Sequence, residues 1–141
     1  LIILKTGGPL HNVFSEAEEI ALYKDGVRGA YECGSEKFEE IIAEWNAMFK
    51  DSVIMPAFGV SINDWTVNEM KSGAWIEFAF ASQLTINGMP FEKLLIAVKP
   101  EYKGFNIVRY TAEHGYAGRC YYVDLRGGDM ADFYNYMMSV D

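Results

Sequence analysis

The sequence predicts an α+β fold: a largely antiparallel sheet of about six or seven strands, with two helices packed on one face. Two turn dipeptides, Asp25-Gly26 and Asn87-Gly88, each stand between strand-like runs, which is a strong hairpin signal. Residues 35–51 repeat apolar side chains at steps of three and four, as an amphipathic helix does. Hairpins dominate the element order, and the strand–helix–strand alternation of a parallel sheet does not occur.

Length and composition predict one domain spanning residues 1–141. Half of the residues are hydrophobic, which is enough for a substantial core. The net charge of −8 argues against a nucleic-acid partner, because phosphate binding requires a basic surface. No apolar run is long enough for a transmembrane segment. The compartment stays open: cytoplasmic, or extracytoplasmic if a leader was removed before Leu1. Oligomeric state stays open as well.

The first half of the chain predicts a loop, a hairpin, a helix and an interrupted strand. Residues 5–16 contain a Gly-Gly-Pro break and predict a loop. The Asp25-Gly26 turn sets a register in which Ile20 faces Tyr31, and Cys33 continues on their side, towards the core. The helix over 35–51 has Ser35 as its N-cap. Pro56 and Gly59 interrupt residues 53–63, which predicts an edge or bulged strand.

The second half predicts two further hairpins and a C-terminal helix. Residues 64–73 predict a turn or a short helix capped by Asp64. Residues 74–88 alternate as a long half-buried strand, which returns over 89–100. A third hairpin joins 105–111 to 118–125 through a six-residue connection. The last helix has Asp129 as its cap. Its apolar stripe consists of Met130, Phe133, Tyr134, Met137 and Met138.

The stretch from His114 to Asp129 contains the residue types of a cysteine hydrolase. As a strand, however, it puts Cys120, Tyr122 and Asp124 on one face and Arg119, Tyr121, Val123 and Leu125 on the other. Asp124 would then lie about 13 Å along the strand from Cys120, so His114 in the loop could reach Cys120 but hardly Asp124 as well. Cys120 is therefore interpreted as a structural thiol, and His114 is left as a weak catalytic candidate.

Neither a metal site nor a cofactor is predicted. The two cysteines, Cys33 and Cys120, and the two histidines, His11 and His114, have no metal-ligand spacing. A Cys33–Cys120 disulfide stays open, because two cysteines could form one bridge or remain as thiols.

A binding surface is the more informative hypothesis. Three of the four arginines, Arg109, Arg119 and Arg126, lie in the third hairpin region. Arginine beside tyrosine can bind carboxylates, phosphates or peptides, so Tyr121 joins the candidates. Trp75 and Glu77 share one face of the long strand and complete the set. The alternative, which the sequence favours, is that the arginines form cross-strand ion pairs with Glu77, Glu113 or Asp124.

Two functions are consistent with these residues. The first is a non-enzymatic interaction module that binds a protein or peptide partner, and an acidic inhibitor or immunity-type protein is a narrower version of it. The second is a small hydrolase or transferase that uses His114 together with an arginine-lined anion site. The near absence of a catalytic constellation favours the first.

Overall fold

The computed structural model describes residues 13–140, which contain seven strands and three α-helices. The strands are β1 Glu19–Lys24, β2 Val27–Glu32, β3 Val53–Val60, β4 Ala74–Ile86, β5 Met89–Val98, β6 Gly104–Thr111 and β7 Gly115–Asp124. The helices are α1 Glu36–Phe49, α2 Asn63–Glu69 and α3 Ala131–Ser139, preceded by one 3-10 turn at Phe14–Glu16. No helix within residues 13–140 is long and apolar enough to cross a membrane.

All seven strands form one antiparallel sheet in the order β2-β1-β4-β5-β6-β7-β3. The predicted α+β class with six or seven strands is confirmed. β3, which contains Pro56, is the last strand of this order and shifts register between Pro56 and Gly59. β3 is therefore both an edge strand and a bulged one, as predicted. Pro56 has no backbone N–H to donate to a neighbouring strand, which confines it to such positions.

The two dipeptide turns adopt the predicted left-handed backbone. Asp25 and Gly26 have φ values of 50° and 85°, and Asn87 and Gly88 have 52° and 79°. Positive φ at both central residues defines the type I′ turn. The first hairpin also has the predicted register, since Ile20 pairs with Tyr31.

The main core lies between one face of the sheet and helices α1 and α3. Trp45 of α1 is fully buried, with ring centroids 5.1 Å from Phe78 of the sheet and 5.3 Å from Phe133 of α3. The predicted cap of α1 is confirmed, because Ser35 Oγ accepts a hydrogen bond from the backbone N–H of Phe38 at 3.2 Å. The two predicted helices thus pack on one face, as expected.

The predicted alternation along β7 is wrong at one point. Between the pairs Asn106–Tyr122 and Val108–Arg119, β7 has one residue more than β6. This bulge turns both Cys120 and Tyr121 into the main core. Arg119 lies on the opposite face with Val108, so it does not share a face with Tyr121.

Cys33 was predicted to face the core but is exposed. It follows the end of β2, an edge strand whose residues are half-buried or exposed. The hairpin register was predicted correctly, and Tyr31 on this side packs against the main core, but Cys33 lies past the last residue of the strand. Both cysteines are free thiols, and Cys120 is buried.

Several element ends also differ from the predictions. β7 begins at Gly115, so the third hairpin has a three-residue connection. α2 begins at Asn63, with Asp64 in its first turn rather than at its cap. Asp129 precedes the N-cap residue of α3 but still accepts from Ala131 N–H at 3.0 Å. Met138 is exposed, unlike the rest of its predicted stripe.

The predicted loop over 5–16 can be compared only in part. Residues 5–12, including His11, lie outside the described residues. Phe14–Glu16 forms the 3-10 turn, and Phe14 packs in the core 4.6 Å from the Phe78 ring.

The second face of the sheet, called the open face below, has a smaller apolar cluster of its own. Its central row is formed by direct partners across the strands: Glu77, Leu95, Val108 and Arg119. Met70, just after α2, belongs to this cluster together with Leu95 and Tyr116. α2 therefore covers one part of this face and leaves a groove beside it.

Candidate functional site

The groove between α2 and the open face has a cavity of about 380 Å³. Ile62 and Trp65 form one wall, together with Val60 at the end of β3. Trp75 and Val108 belong to the sheet side, and Tyr102 and Asn106 line a further part. We call this cavity the Arg119 groove, because Arg119 is the one charged residue among those that line it.

The outer wall of the groove is an exposed apolar rim. Val60, Ile62 and Trp65 expose 81%, 68% and 61% of their surface. The local backbone holds them there, because β3 ends at Val60 and α2 starts three residues later. Asn63 ties this start to the sheet, since its Oδ1 accepts a hydrogen bond from Tyr116 N–H at 3.0 Å. Three neighbouring exposed apolar side chains are unusual enough to suggest a contact surface.

Trp75 supplies a fixed aromatic surface on the sheet side. Its indole Nε1 donates to the carbonyl of Ser72 at 2.9 Å, which holds the ring in one orientation. Ala97 is its direct partner on β5, so a small side chain lies next to the large one. A ligand in the groove would therefore meet a preorganised aromatic ring on the sheet.

Arg119 has no partner for its charge among residues 13–140. Its Nε is buried and has no hydrogen-bond acceptor. The ion pairs within residues 13–140 involve Arg28, Lys37 and Lys93, and His114 contacts a carboxylate, but Arg119 does neither. The predicted cross-strand ion pairs of the hairpin arginines are therefore wrong. Glu77 pairs with Lys93, Glu113 pairs with His114, and Asp124 accepts from the backbone N–H of Arg126.

Gly59 makes room for the guanidinium of Arg119. The two residues are direct partners across β3 and β7. A Cβ on Gly59 would lie 2.6 Å from Arg119 Nη2 and 2.9 Å from its Nε. The side chain of Arg119 therefore lies along the backbone of β3, and its guanidinium lies at the floor of the groove.

Glu77 lies on the same face but is closed off from the groove. It is 2% exposed and accepts a hydrogen bond from Tyr116 Oη. Tyr23 Oη lies 3.4 Å from its other oxygen, and Lys93 Nζ lies 3.9 Å from it. Burial, and then the negative charge of Glu77, raise the pKa of Tyr116 above its usual range, so its hydroxyl stays protonated and donates. Glu77 is therefore covered, and its carboxylate has hydrogen-bond and ion-pair partners within the protein.

The other predicted binding residues are separated from the groove. Tyr121 is 3% exposed and belongs to the core on the opposite face. Arg109 pairs with Leu94, a residue of that same core face, so it lies across the sheet from Arg119. Arg126 follows β7 with a φ of 55° and is exposed. Only Trp75 and Arg119 of the predicted set line the groove together.

His114 lies in the turn between β6 and β7. It borders a depression of about 250 Å³ together with Arg109 and Thr111. Its side chain is 68% exposed, and its Nε2 lies 3.1 Å from a carboxylate oxygen of Glu113, itself 81% exposed. The guanidinium of Arg109 donates to the carbonyl of Pro90 at 2.8 Å. Cys120 is fully buried, and burial raises its pKa to about 12.

Sequence reasoning missed the exposed rim. Its signal is present in "VSINDW", residues 60–65, where apolar residues stand among turn formers directly after the interrupted strand. Such residues are typical of a strand end or a short helix, so the pattern alone does not distinguish burial from exposure.

Comparison with protein-family models, with curated proteins and with solved structures finds no match.

Proposed function

We propose that this protein is a non-enzymatic interaction module that binds a protein or peptide through the Arg119 groove. The observation that carries the proposal is the exposed rim of Val60, Ile62 and Trp65 beside a cavity lined by a second tryptophan. Exposed apolar side chains gain free energy when a partner covers them. Tryptophan and arginine are also the residue types most enriched among the dominant contacts of interfaces.

The chemistry of the lining supports binding over catalysis. The groove offers aromatic and aliphatic surface, the hydroxyls of Ser61 and Thr66, the amide of Asn106 and one guanidinium. Arginine stays protonated throughout the accessible pH range, so it holds an anion rather than transferring protons. The hydroxyls of Ser61 and Thr66 already bond each other at 2.9 Å.

An acidic inhibitor or immunity-type protein is the narrower form of this proposal. The net charge of −8 would attract a basic partner and raise its association rate. The Arg119 groove would then hold the apolar anchor of that partner, while the net negative charge of the protein steers the approach. This form predicts association that slows strongly as ionic strength rises.

The proposed function is tested by selecting displayed random peptides against the purified protein and measuring their affinity for variants. Trp65→Ala should weaken the selected peptides about 30-fold or more, because a central aromatic anchor is worth about 2 kcal/mol. Its effect on stability should stay within about 0.5 kcal/mol, since the side chain is largely exposed.

Val27→Ala is the matched control. Val27 is 71% exposed but lies on β2, at the opposite edge of the sheet from β3. Peptides that bind equally well to the wild type, Trp65→Ala and Val27→Ala would show that the groove is not the binding surface.

A further inference from the structure

We propose that the Arg119 groove recognises the free C-terminal end of a peptide. The terminal carboxylate binds Arg119, and a large apolar side chain of the last residue lies against Trp65 and Trp75. This inference rests on the proposed function, because it names the part of the partner that the groove holds.

The unpartnered charge of Arg119 identifies an anion as the missing component. Burying part of a guanidinium costs free energy unless an acceptor or counter-ion compensates it. Arg109 resembles Arg119 in having a buried Nε without an acceptor, but its Nη1 bonds the Pro90 carbonyl. The side chain of Arg119 makes no hydrogen bond within residues 13–140, so its guanidinium is free to bind an acceptor that a ligand brings into the groove.

The shape and charge of the groove favour a carboxylate over a phosphate. A guanidinium presents a planar fork that matches the two oxygens of one carboxylate. A phosphate carries more charge and needs more donors, whereas the lining provides a single cation. The net charge of −8 disfavours a multiply charged anion further.

The size of the groove brings the carboxylate and the apolar group into the same residue. The cavity volume of about 380 Å³ lies near the lower end of the usual range for ligand sites. The guanidinium and both tryptophans line this one space. A C-terminal residue meets both requirements, because its carboxylate and its side chain branch from a single Cα. The side chain of an internal Asp or Glu would bind the guanidinium of Arg119 but would leave Trp65 and Trp75 without an apolar contact.

The test uses acetylated tetrapeptides that end in phenylalanine or tryptophan, each prepared as the free acid and as the C-terminal amide. Binding to the full chain is followed by amide chemical shifts in ¹⁵N-labelled protein. We expect the free acid to bind about 10- to 100-fold more tightly than the amide, as loss of a charge-assisted hydrogen bond implies. This comparison uses the unmodified protein, so it does not depend on whether any variant folds.

Two variants assign the effect to its residue. Arg119→Met should reduce the affinity for the acid to that for the amide. Arg126→Met, which removes an exposed arginine outside the groove, should leave the preference for the acid intact. Equal affinities for acid and amide, binding of neither, or an acid preference that survives Arg119→Met would overturn the inference.

Failure of the inference can be told apart from failure of the proposed function. One outcome is that selected peptides bind in a Trp65-dependent manner yet keep their affinity after C-terminal amidation. That result would support peptide binding by the groove and contradict recognition of the terminal carboxylate. If no selected peptide depends on Trp65 for binding, both the proposed function and the recognition of a C-terminal carboxylate are contradicted.

Discussion

Arg119 lies across Gly59, its direct partner on the neighbouring strand, at the spot where any other residue would place a side chain. The same arrangement recurs once on the adjacent strand pair, where Arg109 lies across Gly118. In both pairs the glycine lets a guanidinium lie along the sheet. The two arginines nevertheless serve different surfaces, because they lie on opposite faces.

Gly59→Ala should therefore impair the groove without unfolding the protein. The new Cβ would lie 2.6 Å from Arg119 Nη2, so the end of the flexible arginine must move away. We expect the preference for C-terminal acids to fall about tenfold, while the urea midpoint changes little. Gly118→Ala is the control, since it displaces Arg109 on the other face. If both substitutions affect peptide binding equally, the position of the Arg119 guanidinium does not matter.

Tyr116→Phe should destabilise the fold through Glu77. The substitution removes the hydroxyl that donates to a carboxylate with 2% exposure. Leaving a buried charged group short of a donor costs about 1–3 kcal/mol. Tyr110→Phe is the matched control: its ring centroid lies 4.9 Å from that of Tyr116, with the rings tilted by 56°, but its hydroxyl makes no hydrogen bond within residues 13–140. Urea unfolding of both variants checks the difference, and equal losses would contradict it.

The elements with a local physical cause could be predicted from the sequence. The two hairpins follow from dipeptides that tolerate positive φ, and α1 follows from its periodicity and its serine cap. The edge position of β3 follows from the missing N–H of Pro56. Each of these signals lies within a few residues of the structure it specifies.

The features that depend on distant parts of the chain could not be predicted. The bulge in β7 has no sequence marker, yet it moves Cys120 to the core side and separates Arg119 from Tyr121. Cys33 is exposed because it lies past the end of the edge strand β2, a position that no local pattern reveals. Trp75 and Arg119 were both named as candidates, but their shared groove depends on where α2 docks.

The two thiols should differ sharply in reactivity. Cys33 is exposed, whereas Cys120 is fully buried with its pKa raised to about 12. Since the thiolate is the reactive form, a disulfide reagent at neutral pH should titrate one thiol per native molecule and two after denaturation. Cys33→Ser should abolish the native reaction. Reaction of a thiol in native Cys33→Ser would show that Cys120 is accessible.

Stability should decrease as the pH rises above about 9, and Cys120 should account for a defined part of the decrease. Its pKa is raised from 9.0 to about 12 by burial. Between these values the unfolded chain releases the thiol proton and the folded chain keeps it, so rising pH favours unfolding. This one proton contributes a slope of up to about 1.4 kcal/mol per pH unit.

The alkaline slope can be assigned by comparing the wild type with Cys120→Ala in urea unfolding between about pH 8 and 11. The variant loses some stability at every pH because it leaves a small cavity, but its curve should be flatter above about pH 9. Tyr23, Tyr116 and Tyr136 also have raised pKa values that do not depend on Cys120, so they steepen both curves at higher pH. The raised pKa of Tyr121 depends mainly on burial and partly on Cys120. The difference between the slopes therefore reports the Cys120 thiol together with its effect on Tyr121. Parallel curves would mean that its thiol ionises as readily in the folded protein as in the unfolded chain.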